Sequence, residues 1–340
     1  MGEPETVRCA GCGEEVGRGD RFCESCGHSL LVQRTPVGGA LGTPSSSQGC
    51  VACGGPNLGA DGFCEDCGRA QPAGRDRMEA EFDAVVGVSD KGKRRARNED
   101  SMAFGVVSGE STVVAVVCDG VATSDRADSA SQAAVDEATD VLLDAVLEGG
   151  DLEAATKAAV AKAIEVVSAL ADPAVPGTAP SCTYVSTVVT REAAVVGWVG
   201  DSRVYWLGLD SDATESTVLT SDDTVAAELI AEGMNETEAL AVHQAHALSK
   251  WIGADAGEIE PGVRTFTPTG PGLVLLCSDG LWNYLPEARA LTEALPADAL
   301  ADPMNAAKEL TDLALRLGGH DNITTVLVPF PPQSEPRSES

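Results

Sequence analysis

The sequence predicts an α+β fold in which mainly antiparallel sheets are covered by helices, preceded by small metal-binding modules. Three observations carry this prediction. Short Val- and Thr-rich runs come in blocks instead of alternating strictly with helices, two long stretches are Ala-rich and helical in character, and eight of eleven cysteines fall within the first 67 residues. A chain of 340 residues has room for one large domain and something small, since a domain takes about 100 to 200 residues.

The cysteines come first in the chain. Cys9 and Cys12, Cys23 and Cys26, Cys50 and Cys53, and Cys64 and Cys67 form CxxC pairs, each followed by glycine. CAGCGEEVGRGDRFCESCG and CVACGGPNLGADGFCEDCG repeat with a period of 41 residues. Two such knuckles complete a tetrahedral, closed zinc site, which is structural and has no open coordination position. Two structural zinc ions are therefore expected, although the spacing leaves open which pairs share an ion. Disulfides are disfavoured in a chain expected to be cytoplasmic, and thioredoxin-like pairs would need a βαβ setting that is missing. His28 reads as a bystander; Cys118, Cys182 and Cys277 read as small core residues. The doubled pattern resembles the tandem zinc ribbons of many bacterial proteins, and the ribbons are expected to act as docking modules.

The expected organisation is ribbon 1 at 1–29, a flexible linker at 30–49, ribbon 2 at 50–70, a second linker at 71–79, the large domain at 80–330 and a disordered tail at 331–340. TPVGGALGTPSSSQG and RAQPAGRDR have connector composition. Strands are expected at 82–89, 102–107, 112–118, 183–190, 193–199, 203–207, 263–267, 272–277 and 323–328. Helices are expected at 127–148, 151–171, 222–233 and 305–319; the last repeats Ala306, Leu310, Leu313, Ala314 and Leu317 along one face before a glycine pair.

Charge excludes some partners. Lys and Arg total 23 against 53 Asp and Glu, a formal charge of -30 that repels nucleic acid and anionic membranes. No stretch approaches the roughly 20 apolar residues needed to span a bilayer, and MGEPETVRC lacks the n- and h-regions of a signal peptide. The start fits a loose N-myristoylation pattern, which its acidic continuation disfavours.

Acidic residues mark the ends of the driest strands. VVAVVCDG ends in Asp119 and Gly120, GLVLLCSDG in Asp279 and Gly280, and AAVVGWVGDSR passes through Asp201, while Asp321 and Asn322 precede ITTVLV. Antiparallel pairing places strand ends beside strand starts, so these carboxylates can collect at one edge, with Glu99 and Asp100 of RNEDS joining them. Gathered carboxylates stay charged only if cations neutralise them, and an all-oxygen set suits Mg2+ or Mn2+. KGKRRAR places five basic residues in seven positions directly before Asn98, where an arginine fork can orient a phosphoryl group.

In series, RRARNEDS, VVCDG, WVGDSR, LLCSDGLW and GGHDNITTVLV resemble the metal-dependent Ser/Thr protein phosphatases of the PP2C family, over about residues 80–330. The resemblance implies a four-layer αββα sandwich with a dinuclear Mn2+ or Mg2+ centre at one end. It implies that Asp119 bridges the two ions, that Gly120 offers its carbonyl, that Asp279 and Asp321 complete one shell, and that Glu99 acts on the other ion through water. Asp201, with Asp279, matches a looser third site of many bacterial members. Arg95 matches the phosphate-binding arginine, with Arg94 and Arg97 close by; Asp100 and Asn322 are expected to support. The implied reaction is attack of a metal-bridging hydroxide on phosphoserine or phosphothreonine in proteins, without a covalent phosphoenzyme.

The chain departs from the family at Val121, Ala122, Thr123 and Ser124, where bacterial members carry Met, glycines and histidine. Val121 also replaces a histidine proposed in some relatives to protonate the leaving group, and PSCTYVST stands where relatives have Gly-Thr-Thr. His243, His246 and His320 offer no clear replacement. The alternative reading is a catalytically weak phosphoprotein-binding or regulatory module. The expected protein is a cytoplasmic, monomeric bacterial signalling enzyme acting on Ser/Thr-phosphorylated proteins, with a cognate kinase among its partners.

Overall fold

The computed structural model of the chain describes residues 6–8, 12–17, 22–26, 30–39, 55–57, 59, 63–68, 74–82, 84–107, 111–172, 174, 179–210 and 215–332. At the start, β1 (Thr6–Arg8) pairs with β2 (Glu15–Gly17) as an antiparallel ribbon. β3 (Val32–Arg34) follows. The large domain then opens with β4 (Arg77–Phe82), β5 (Val85–Asp90), β6 (Ser101–Val107) and β7 (Thr112–Cys118), before the helices α1 (Ala127–Glu148) and α2 (Leu152–Ala169). Next come β8 (Ser181–Cys182), β9 (Tyr184–Val189), β10 (Ala194–Val199), β11 (Arg203–Gly208) and β12 (Thr217–Val218). The short helices α3 (Val225–Ala231) and α4 (Glu236–Leu240) precede β13 (Ile252–Gly253), β14 (Gly262–Phe266) and β15 (Gly272–Cys277). Helices α5 (Asp279–Trp282), α6 (Ala288–Ala294) and α7 (Pro303–Leu317) lead to β16 (Ile323–Phe330).

Two six-stranded sheets result, ordered β14-β10-β9-β7-β6-β3 and β12-β11-β15-β16-β5-β4. Their pairings are antiparallel. Side chains alternate across a strand, and β7 shows where they go. Val114, Val116 and Cys118 pack with Ala134, Leu142 and Val160 of α1 and α2, while Val113, Ala115 and Val117 pack against Val274 and Val326 of the other sheet. In β15 the same alternation sends Leu276 between the sheets and Leu275 toward Leu291 and Leu310 of α6 and α7. The central strands of each sheet are thus buried on both faces, which explains why they read as continuous apolar runs. The layers are helices, sheet, sheet, helices, the four-layer αββα sandwich. Burial of each valine or leucine contributes about 1.5 to 3 kcal/mol relative to exposure.

The helices start and stop where their caps dictate. Asp151 accepts from the Ala154 N–H at 2.8 Å, and Gly149 ends α1 with φ 69. Helix α7 begins two residues before the expected 305, because Asp302 accepts from the Asn305 N–H and Pro303 takes the first turn. Expected helix 222–233 shortens to α3, capped by Thr224.

Both expected connectors are corrected in part. Within 30–49, β3 joins the first sheet as an edge strand against β6. Thr35 is 1% exposed and holds the Phe104 backbone in both directions, at 2.9 and 3.2 Å. Arg34 pairs with Asp136 and Asp140 of α1, and the Gly38 N–H donates to Asp136. Within 71–79, a 3-10 turn at Gly74–Asp76 and β4 replace the connector, because Arg77 is buried against Asp90 (3.2 Å) and Asp312 (2.9 Å). The remainder of both connectors, 40–49 and 71–73, lies outside the described residues. In the expected tail, Pro332 is buried and 333–340 lie outside the described residues. The expected strand 82–89 is the second arm of the β4–β5 hairpin.

Candidate metal centre

Strand ends from both sheets meet at one edge of the sandwich. Asp119 follows β7; its N–H donates to Thr183 Oγ1 at 3.0 Å and its carbonyl accepts from the Thr183 N–H at 2.8 Å. Gly120 donates to the Glu99 carbonyl at 3.2 Å. A Cβ at Gly120 would lie 2.7 Å from the Ala127 oxygen and 2.8 Å from the Glu99 oxygen, so only glycine lets these backbones approach. Ser131 of α1 also donates to the Glu99 carbonyl, at 2.5 Å.

The second sheet supplies Asp279 at the start of α5, Asp201 before β11, and Asp321 before β16. Asn322 ties the two sheets together: its Oδ1 accepts from the Glu99 N–H at 2.8 Å, and its Nδ2 donates to the carbonyls of Lys91 (2.8 Å) and Arg97 (3.0 Å). Asp100 is fully buried, and its Oδ2 accepts from Ser278 (2.7 Å) and Thr324 (2.8 Å).

Burial and mutual repulsion disturb these carboxyls together. Desolvation pushes Asp100 up to about 7 and Asp201 up to about 7, with Asp279 adding repulsion to both. Asp279 rises to about 6, from burial and then Asp321. Asp119 is held well above the carboxylate range by burial and by Asp100, Asp279, Asp201 and Asp321. Glu99 is raised by burial, against the pull of Arg97 and Arg95. Asp279 Oδ1 and Asp100 Oδ1 are buried and have no hydrogen-bond partner. Orphaned carboxylate oxygens in an all-oxygen cluster fit hard divalent cations, which would neutralise the repulsion.

Arg95 is aimed into the cluster. Its guanidinium bonds Asp321, which raises its pKa further, with Asp119 and Asp279 adding to the effect. Arg94 is exposed and Arg97, 64% exposed, lies 3.7 Å from Glu99 and 4.0 Å from Asp128. Of the three arginines, Arg95 is the one hydrogen-bonded to a carboxylate of the cluster. Val121 and Ser124 bond the Ser181 backbone and displace no acidic residue from the cluster. His243, His246 and His320 are exposed; the His320 N–H donates to Tyr284 Oη at 3.1 Å.

Some of the site was not evident in the motifs. Ser278 and Thr324 lie one step beyond the Cys277–Thr325 register pair, where two hydroxyls at the ends of dry strands signal a buried acceptor. Arg75, assigned to a connector by composition, donates to the Asp100 carbonyl (3.0 Å), Ser101 (2.9 Å) and Gln132 (2.6 Å).

In the first ribbon, the Sγ atoms of Cys12, Cys23 and Cys26 all lie within 4.8 Å of one another, and Cys12 and Cys23 are 3.5 Å apart. Three converging thiols fit a zinc ion. Cys64 and Cys67 lie on one turn of the second ribbon; Cys9, Cys50 and Cys53 lie outside the described residues.

Two packed antiparallel sheets that end in a nest of carboxylates, with an arginine facing them, define a class of protein built to hold divalent cations beside an anionic group. Residues 90–315 match the family Protein phosphatase 2C, and residues 9–68 match Double zinc ribbon. The chain belongs to the protein phosphatase 2C family and carries a double zinc ribbon at its N-terminal side. It is 33% identical over 242 residues to the serine/threonine protein phosphatase PstP of Mycobacterium tuberculosis, covering 70% of this chain and 43% of that protein. The chain thus spans less than half the length of that relative. A serine/threonine phosphatase structure from S. agalactiae superposes with a TM-score of 0.59 at 22% identity, covering 72% of this chain and 98% of that one, which supports the fold. The PstP catalytic domain solved with two manganese ions superposes with a TM-score of 0.53 at 28% identity, covering 72% of this chain and 97% of that one. Among the described residues no helix is long and apolar enough to cross a membrane.

Proposed function

We propose that the chain is a protein-serine/threonine phosphatase that hydrolyses the phosphoric monoester of phosphoserine or phosphothreonine, giving the free hydroxyl and inorganic phosphate. The observation that carries this reading is the convergence of acidic residues from both sheets, with buried orphan oxygens, beside Arg95. Asp119, Gly120 through its carbonyl, Asp279, Asp321 and Glu99 would hold two ions, and Asp201 with Asp279 a third. The manganese-bearing relative supports Mn2+, with Mg2+ the chemical equivalent. When bound, such ions supply the charge that keeps the carboxylates ionised and the Lewis acidity that makes water a nucleophile near neutral pH.

The chain's own side chains do the positioning. Arg95 would turn from Asp321 to grip the phosphoryl oxygens, a bidentate contact that orients phosphorus. Asn322 fixes Glu99 and the basic loop in one register. Ser278 and Thr324 hold Asp100 beneath the cluster, so the segment carrying Glu99 cannot shift. Val121 carries no proton donor, so the leaving oxygen takes its proton from a group other than residue 121.

The ribbons serve as docking modules, and the two knuckles within one repeat share an ion. Phe22 and Phe63, one repeat apart and each directly before a knuckle, are 58% and 48% exposed, which supports an apolar docking contact. The CxxC spacing of zinc knuckles, which bind as thiolates, supports a cytoplasmic setting, and Ser/Thr-phosphorylated proteins, a kinase among them, are the partners.

Phosphopeptide hydrolysis with and without Mn2+, compared between the full chain and its Asp119→Asn and Asp279→Asn variants, tests this. Turnover that requires Mn2+ and falls in both variants is expected. Turnover indifferent to metal and to both substitutions would overturn it.

A further inference from the structure

The basic loop offers more positive charge than one phosphate needs. Residues 91–97 carry five of the 23 basic side chains of a chain whose formal charge is -30. Lys91 is paired with Asp76 at 2.8 Å and Arg95 with Asp321, which leaves Lys93, Arg94 and Arg97 to be accounted for. All three are exposed, and the Arg97 contacts to Glu99 and Asp128, 3.7 and 4.0 Å, are longer than a hydrogen bond.

This loop is not a loose solvated turn. Asn322 holds its two ends by the Lys91 and Arg97 carbonyls, the Lys93 N–H donates to the Gly319 carbonyl at 2.7 Å, and the Gly92 N–H donates to Asp90 at 2.8 Å. Gly92 has φ 75, and a Cβ there would lie 2.1 Å from the Asp321 carbonyl, so the loop backbone rests directly on a residue of the acidic cluster. Arg94 and Arg97 are therefore presented at a fixed offset from Arg95, one residue before it and two after. A loop backbone already held in place spares the cost of ordering it on binding, and the guanidinium fork matches phosphate and carboxylate oxygens.

We propose that Arg94 and Arg97 form a second anion subsite, which selects phosphoproteins carrying another phosphate or a carboxylate within a few residues of the phosphoserine or phosphothreonine that is hydrolysed. This rests on the reading of the centre given above and names the substrate class for it. An extended peptide advances about 3.3 to 3.6 Å per residue, so an anion two or three residues away lies roughly 7 to 11 Å from the scissile phosphate, within reach of two arginines flanking Arg95. The surrounding acidic surface repels anions further out, which makes the preference local.

The test uses the full chain with Mn2+ and three peptides that share one phosphothreonine: one flanked by glutamine, one by glutamate, and one by a hydrolysis-resistant phosphonate. A small aryl phosphate, which has no second anion, reports on the centre itself, and a thermal melt reports folding. The wild type should turn over the phosphonate peptide with kcat/KM about tenfold above the glutamine peptide, chiefly through KM. The gain should shrink as salt rises, and the Arg94→Ala/Arg97→Ala variant should lose it; the glutamate peptide shows whether a carboxylate suffices. A gain that survives in that folded variant, or no gain with either anionic peptide while the aryl phosphate is hydrolysed, overturns the subsite and leaves the phosphatase reading standing. If the wild type hydrolyses neither aryl phosphate nor any peptide, the phosphatase reading fails and the subsite fails with it.

Discussion

The first sheet brings Glu99, Asp119 and Gly120 to the centre; the second brings Asp201, Asp279, Asp321 and the basic loop. Their contributions differ in kind. On the first sheet what is held is backbone: Gly120 and Ser131 donate to the Glu99 carbonyl, and Thr183 holds both the amide and the carbonyl of Asp119. On the second, side chains reach across, with Asn322 holding the Glu99 amide and Ser278 and Thr324 holding Asp100. The centre is therefore a seam, and its geometry depends on the register between two sheets as much as on either one.

The largest expected effect tests whether both sides of the seam are needed. Asp119→Asn removes a carboxylate of the first sheet and Asp279→Asn one of the second; each should lower kcat with Mn2+ by about two to three orders of magnitude in a folded protein. A loss on one side alone would break the symmetry of the comparison. Asn322→Ala cuts the tie between the sheets without removing a carboxylate. A loss of roughly 10- to 100-fold in activity or Mn2+ affinity is expected, measured by metal titration with calorimetry.

A third effect concerns charge at the seam. Asp100 and Asp201 rise to about 7 and Asp279 to about 6, each from a usual value of 3.8. Between these values and the unfolded range near 4, the metal-free folded protein holds more protons than the unfolded chain, so its stability falls as pH rises through that window. Melts in chelator should give a lower Tm near pH 8 than near pH 5, and Mn2+ should reverse the order. A Tm in chelator that climbs over the same range would show that these carboxyls are not held up by burial. The smallest effect is at the far edge of the first sheet. Deleting residues 1–39 should lower Tm by roughly 5 to 10 °C relative to deleting 1–31, because only the longer cut removes β3 and its backbone hydrogen bonds.

Much of this was legible in the sequence because strand ends are chemically loud. A run such as VVAVVC announces a strand buried on both faces, and a carboxylate at its end has no reason to be there unless something answers its charge. Helices α1 and α2 were legible for the same reason, through length and unbroken composition. β3 was not: three residues, VQR, between glycine- and proline-rich neighbours carry no period, and what makes them a strand is the unpaired edge of β6 far along the chain. Arg75 and Arg77 were hidden in connector-like composition, since their reason for being ordered lies in Asp100, Asp90 and Asp312. Ser278 and Thr324 sat inside recognised motifs, but their task appears only once the register sets them opposite each other. The pairing of Cys12 with Cys23 and Cys26 likewise needed three dimensions.

β3 has one more consequence. A sheet that ends at β6 would present the amides and carbonyls of residues 104–107 as a template for another copy of the chain. The segment that follows the first ribbon occupies that template, so β3 would also act as a guard against aggregation. The large domain without β3 would be prone to self-association through that edge.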